Sequence, residues 1–244
     1  MNKYNQKFVI PCYFTDASWR LKPASFMDMA QEAATCHAQI LGFGYDDLIA
    51  SRTAWILSRL HVEFVDTPRW RENISLTTWH KGLSRLFFLR DFILTDDAGN
   101  VRVKATSSWL VLNLDTRRLV RDPKLMDEGT TCSEDVLDAP ADKVQMPKGA
   151  EPELVMEHVV SYSDVDINDH TNNAMYMHWA MDAVDYQTAS SRAVKSMTIN
   201  FNHETKQGDR VAIYRFVCED EIGLHVYIEG KVGDTSAFTV ELVF

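Results

Sequence analysis

Little in this chain marks it for a metal, a membrane or a polyanion. Its four cysteines, Cys12, Cys36, Cys132 and Cys218, are scattered without a C-x-x-C pair, which argues against a zinc site or a dithiol redox motif and for reduced thiols. His158, His178, His203 and His225 show no metal-ligand spacing and read as sheet or helix-surface residues. No apolar run approaches the about 18 residues of a membrane span, and the segment Met1 to Lys7 has no apolar leader region, so a cytoplasmic protein without membrane attachment is expected. Positive charge is in deficit, with 25 Lys plus Arg against 35 Asp plus Glu. The net charge of -10 argues against nucleic acid as a partner, because phosphate binding draws on a basic footprint. What the chain has is 244 residues, 45% of them hydrophobic. That is enough for one large core or two small ones, and it excludes disorder.

The order of elements repeats. A strand is expected at Tyr4 to Phe14, followed by a helix from Ala24 to Leu41 with Ser25 as N-cap and Phe26, Met29, Ala30, Ala33, His37 and Ile40 at helical spacing. Strand-like runs follow at Ala54 to Val65, Asn73 to Lys81, Leu86 to Thr95 and Val101 to Leu114, with Asp96 to Asn100 as a hairpin turn. From Asp115 to Pro152 the periodicity fades, and Pro123, Gly129, Pro140, Pro147 and Gly149 punctuate a polar stretch. The same order then returns: a strand at Glu153 to Tyr162, a helix at Asn172 to Ala189, and strands at Ser196 to His203, Arg210 to Glu219, Leu224 to Lys231 and Thr235 to Val243.

Aligning the halves at Asp16 and Asp166 pairs Ser18 with Asn168, Arg20 with His170, Phe26 with Tyr176, Met29 with Trp179 and Ala33 with Ala183. Beyond the helices the offset changes, so that His61-Val62-Glu63-Phe64 meets Thr198-Ile199-Asn200-Phe201 and Thr67 falls opposite Glu204. The expected organisation is an N-terminal repeat at 1–135, a linker at 136–152 and a C-terminal repeat at 153–244. The second copy holds Asp-x-Asn-x-His and a Glu where the first holds Asp-x-Ser-x-Arg and a Thr. Chemistry is therefore expected in the second copy.

Asp166-Ile167-Asn168-Asp169-His170-Thr171-Asn172-Asn173 lies just before the second expected helix. A helix N-terminus offers free N–H groups and a partial positive charge to an oxygen that turns negative during acyl transfer. An imidazole such as that of His170 can serve there as a general base. Taken alone, the same residue types also make an ordinary capped helix start.

The segment resembles the D-x-N-x-H-x-N-N motif of the acyl-acyl carrier protein thioesterases. The resemblance continues through Trp55 to Val62, through Thr78 to Gly82 with Arg85 and Arg90-Asp91-Phe92, and through Ser107 to Asn113 with Thr116-Arg117-Arg118. It implies an α+β double hot-dog fold, two tandem repeats each with a long helix wrapped by an antiparallel sheet. It also implies catalytic groups at Asp166, Asn168, His170 and Glu204, an oxyanion site at the N–H groups of Asn172 and Asn173, and no metal or organic cofactor. Where the family carries a cysteine after the Glu this chain has Thr205, so cysteine attack from that position is excluded and water attack is favoured, with Asp166 or Glu204 as a direct nucleophile left open.

The implied partner is acyl carrier protein bearing a phosphopantetheine-linked acyl chain, and the implied reaction is hydrolysis to free fatty acid. An acyl-CoA thioesterase and a non-catalytic acyl-binding module are the alternatives, and a monomer or homodimer is expected. The first repeat, which sets chain-length preference in the family, offers Met27, Met29, Cys36, His37, Ile40, Trp55 and Leu57 as walls of an acyl slot. Because the carrier is acidic, basic residues must gather at the docking mouth. The candidates are Arg69, Arg71, Arg85, Arg117, Arg118, Arg121, Arg192 and Lys195.

Overall fold

The computed structural model describes residues 2–120 and 128–244; Arg121 and Pro123 lie outside the described residues. The first half runs β1 (Tyr4–Val9), α1 (Pro23–Ile40), α2 (Tyr45–Ala50), β2 (Thr53–Phe64), β3 (Asn73–Ser84), β4 (Phe87–Asp96) and β5 (Val101–Asn113). The second runs β6 (Glu153–Val159), α3 (Asn173–Asp182), α4 (Tyr186–Ser191), β7 (Ser196–Phe201), β8 (Arg210–Glu219), β9 (Leu224–Val232) and β10 (Thr235–Val243).

All ten strands form one antiparallel sheet in the order β1-β3-β4-β5-β2-β7-β10-β9-β8-β6, so each repeat contributes five strands in the same internal order. This is the double hot-dog arrangement expected above. The seam between the repeats is the β2/β7 pair, where His61 lies directly opposite Thr198 and shares a 2.7 Å hydrogen bond with it. These two residues are each other's counterparts in the internal alignment, so the pseudo-twofold axis passes between them.

Alternation along the strands sends one set of side chains onto the helices. Leu60, Val62, Met197, Ile199, Phe238 and Val240 bury against Phe26, Met29 and Ala33 of α1 and Tyr176, Met177 and Trp179 of α3 in a single core. Asn200, between Ile199 and Phe201, points to the opposite face. There its amide accepts from the Val144 N–H at 2.7 Å and donates to the Asp142 carbonyl at 3.0 Å. The polar stretch before β6 is thus partly a strap laid on the outer sheet face, with Ala141 and Val144 buried under it.

Several sequence expectations need correction. The first strand stops at Val9, and Cys12–Phe14 forms a 3-10 turn, repeated at Tyr162–Asp164. The N-cap of α1 is Lys22, not Ser25; Pro23 occupies the first helical position, where its missing N–H costs nothing. The helix expected from Asn172 to Ala189 is two helices, because the chain breaks after Asp182 and Asp185 caps α4 by accepting from the Thr188 N–H at 2.9 Å.

Candidate active site

Two matching turns precede α1 and α3. In the second copy the Asp166 side chain accepts from the Asn168 N–H at 2.8 Å, the Asp166 N–H donates to the His170 carbonyl at 2.9 Å, and Asp169 takes a left-handed φ of 60°. In the first copy Asp16 does the same with Ser18 at 2.8 Å and Arg20 at 2.8 Å, and Trp19 has φ 67°. The shared Asp therefore builds the turn. What differs between the copies is the residue each turn presents.

Glu204 reaches the second turn through its neighbour. The Thr171 N–H donates to the Thr205 carbonyl at 2.9 Å, and the first copy repeats this bond from Leu21 to Pro68 at 2.8 Å, which establishes Thr67 as the counterpart of Glu204. Thr205 is 1% exposed. Its hydroxyl lies 2.6 Å from that of Thr171 and 3.0 Å from the Tyr176 phenol, and its N–H donates to the same phenol at 3.1 Å. This buried knot, absent from the sequence expectations, fixes Glu204 with Oε2 3.4 Å from His170 Nε2. Burial pushes the Glu204 carboxyl up, but the Arg117 hydrogen bond and the charges of His170, Arg117 and Lys206 outweigh it and hold the group below its ordinary value. Arg117 donates to Glu204 Oε1 at 2.6 Å, so a residue expected only at the docking mouth touches the centre itself.

The two asparagines at the start of α3 separate in role. Asn172 is the N-cap: its side chain accepts from the Ala174 N–H at 2.9 Å, and its own N–H donates to the Asp164 carbonyl at 2.8 Å. Both groups are spent, so Asn172 is corrected from an oxyanion donor to a structural cap. Among the described residues the Asn173 N–H meets no protein acceptor, as befits a first-turn donor. Its counterpart in α1 is Pro23, which has no N–H at all. The Asn168 amide makes only a long 3.5 Å contact to Asp166 and is exposed.

Asn173 also walls a narrow cavity of about 20 Å³ between α1 and the sheet, with Met27, Gln31, Leu57, Leu60 and Trp109. Beyond Trp109 lie Trp55, Phe43 and Phe88 in a second apolar cluster. Met27 and Leu57 thus line the slot, whereas Trp55 is packed in the neighbouring cluster and is not one of its walls. Met29 sits about 200° round the helix from Met27 and packs in the main core. Cys36 faces Glu32 and Ile40 is 56% exposed, so neither is a wall. His37 is buried, with Nδ1 accepting from Arg90 at 3.0 Å.

The basic candidates do not form one patch. Arg117 pairs with Glu204, and Arg118, the next residue in the chain, is exposed. Arg69 bonds the Ser18 carbonyl near the first-copy turn, and Arg71 stacks on Trp70. Arg85 sits at the β3/β4 hairpin, Arg192 pairs with Glu219 at 3.6 Å, and the Lys195 ammonium is held by the carbonyls of Ile222 and Phe244. Among the described residues no helix is long and apolar enough to cross a membrane.

The family model for the acyl-ACP thioesterase N-terminal domain matches residues 1–128, and that for the C-terminal domain matches residues 148–238. Oleoyl-acyl carrier protein thioesterase 2 of Arabidopsis thaliana, a chloroplastic protein, is 28% identical over 229 residues, 85% of this chain and 61% of its own length. The palmitoyl counterpart of Gossypium hirsutum is 24% identical over 213 residues, covering 82% of this chain and 52% of its own. The chain therefore spans about three fifths or less of these two relatives. Among solved structures, an acyl-ACP thioesterase of Bacteroides thetaiotaomicron superposes with TM-score 0.84 at 24% identity, covering 99% of this chain and 97% of that one. The 12:0-ACP thioesterase of Umbellularia californica superposes with TM-score 0.89 at 20% identity, covering 99% and 93%. With both domain models matched in order across the two repeats, the chain belongs to the acyl-ACP thioesterase family.

Proposed function

We propose that this protein hydrolyses the thioester of fatty acyl-acyl carrier protein, releasing free fatty acid and carrier. The observation that carries the reading is the His170–Glu204 pair, 3.4 Å apart at the N-terminus of α3 and beside an apolar slot walled by Asn173, Met27 and Leu57. The thioester carbonyl sits over Asn173, and the acyl chain passes from there between α1 and the sheet, parting the side chains that close the slot to about 20 Å³. As water attacks, ionised Glu204 takes its proton with His170 as partner, and the Asn173 N–H with the Asn168 amide stabilises the oxyanion. Asp166 shapes the turn that presents Asn168 and His170. The N-terminal repeat contributes slot walls, while the C-terminal repeat contributes the reacting groups. The buried Thr205 knot supports water as the nucleophile, because the position after the Glu serves the scaffold.

Two measurements test the reading. The specificity constant on acyl carrier substrates should exceed that on matched acyl-CoA; equal or inverted values would transfer the activity to CoA esters. Binding of a long acyl group with no hydrolysis of either ester would make the protein a binding module. If the acidic carrier docks beside Glu204, activity on it falls with added salt, and Arg118→Glu raises KM more than it lowers kcat.

Arg117 gives a pH test. Removing its hydrogen bond and charge raises the Glu204 pKa, so the base form is lost at higher pH. The acid limb of kcat/KM should therefore move upward in Arg117→Ala. An unmoved limb would mean that this limb belongs to another group.

A further inference from the structure

The pseudo-twofold axis gives the reaction centre a mate, and the mate is the roomier of the two. A cavity of about 760 Å³ opens beside the first-copy turn, walled by Asp16, Arg20, Pro23 and Thr67. These are the counterparts of Asp166, His170, Asn173 and Glu204. Across from them stand Met181 and Val184, which bound the space left where the second-copy helix stops at Asp182 while α1 runs on to Ile40. The volume falls within the usual range for small-molecule sites.

Each group needed for hydrolysis is missing there. Thr67 is no base at neutral pH and Pro23 has no N–H to meet an oxyanion. Arg20, in the place of the imidazole, is spent on Asp16 at 2.9 Å and on the carbonyls of Ala189 and Ser190. The inner walls remain apolar, with Leu21, Ala24, Phe64, Met181, Val184 and Val194. At the mouth Lys22 pairs with no carboxylate among the described residues and makes only a 3.4 Å contact to the Tyr13 carbonyl; Arg192 holds Glu219 loosely at 3.6 Å. Of the facing acids, Asp16 is held by Arg20, Asp185 is occupied in capping α4, and Asp182 is exposed to solvent. Arg215 is already engaged by Glu153 and the Ala183 carbonyl.

We infer that this cavity is a second, non-hydrolytic site for a long-chain carboxylate, with the aliphatic tail among the apolar walls and the head group at Lys22 and Arg192. The occupant fits the acid released in the proposed reaction, so naming it rests on that reading; the site itself does not. Calorimetric titration of the full chain with myristate should show two independent sites. Ala189→Trp, which fills the cavity from a partly exposed wall, should remove one of them. Lys22→Glu should weaken the same one about tenfold or more, and both variants should hydrolyse acyl carrier substrate at the wild-type initial rate. A photoreactive fatty acid should label the 181–194 segment of the unaltered protein, a readout that depends on no variant. A single site, labelling confined to the walls around Met27 and Leu57, or equal binding of the uncharged long-chain alcohol at the second site would overturn the inference. Loss of hydrolysis on every thioester with two myristate sites intact would sink the proposed function and leave the second site standing.

Discussion

Asn173→Pro should lose about a hundred- to a thousandfold in turnover while keeping the melting temperature of the parent protein. A lost oxyanion donor commonly costs that much in rate, whereas proline at the first helical position is well tolerated. The backbone is already suited to it. Asn172 has φ -61° and ψ 139°, the extended geometry a residue before proline prefers, and Lys22 before Pro23 has φ -67° and ψ 142°. Asn173→Ala is the control, since it removes the side chain and keeps the N–H. Equal losses in both variants would assign the effect to the side chain, and wild-type turnover in Asn173→Pro would remove this N–H from the mechanism.

Glu204→Ala and His170→Ala should each reduce kcat at least about a hundredfold, the usual range for removal of a general base or its partner. KM for acyl carrier substrate should change far less, because neither residue walls the slot. The double variant should lose little more than either single one, as expected of residues that act together. Near-normal turnover in both single variants would end the assignment. In isotopically labelled water, label in a protein carboxylate would show an acyl-enzyme on Glu204 or Asp166, whereas an unlabelled protein from which rapid quenching traps no acyl group would support direct water attack. The Thr205 knot provides a stability counterpart. Thr205→Val leaves the buried hydroxyls of Thr171 and Tyr176 short of a partner and should destabilise by about 1–3 kcal/mol, whereas Thr205→Cys should retain activity because it restores a small polar atom at the same place.

The strands were legible because apolar alternation marks a half-buried sheet, and the boundaries of β8 and β10 agree with the pattern to the residue. The turn that presents Asn168 and His170 was legible too, since Asp166, Asn168 and His170 lie within five positions of one another, whereas Glu204 comes to it from the loop that follows β7. Helix ends were less so. Pro23 was passed over in favour of Ser25, although proline at a helix start is a signal in its own right. The break after Asp182 leaves little trace because the residues on both sides keep helical propensity, and the second cavity depends on that break. The different duties of Asn172 and Asn173 depend on which N–H is already engaged. That is a matter of the Asp164 carbonyl folding back onto the turn, and adjacent identical residues cannot reveal it.

The seam where His61 faces Thr198 has a consequence for how such a protein can change over generations. Two identical chains meeting across such an axis would inherit every mutation in both halves, so any loss at one site would be a loss at the other. Once both halves are encoded in a single reading frame, that obligation disappears. One pocket can surrender its imidazole, its carboxylate and even a backbone hydrogen while the other keeps all three, and the surrendered pocket is then free for selection to shape toward another use.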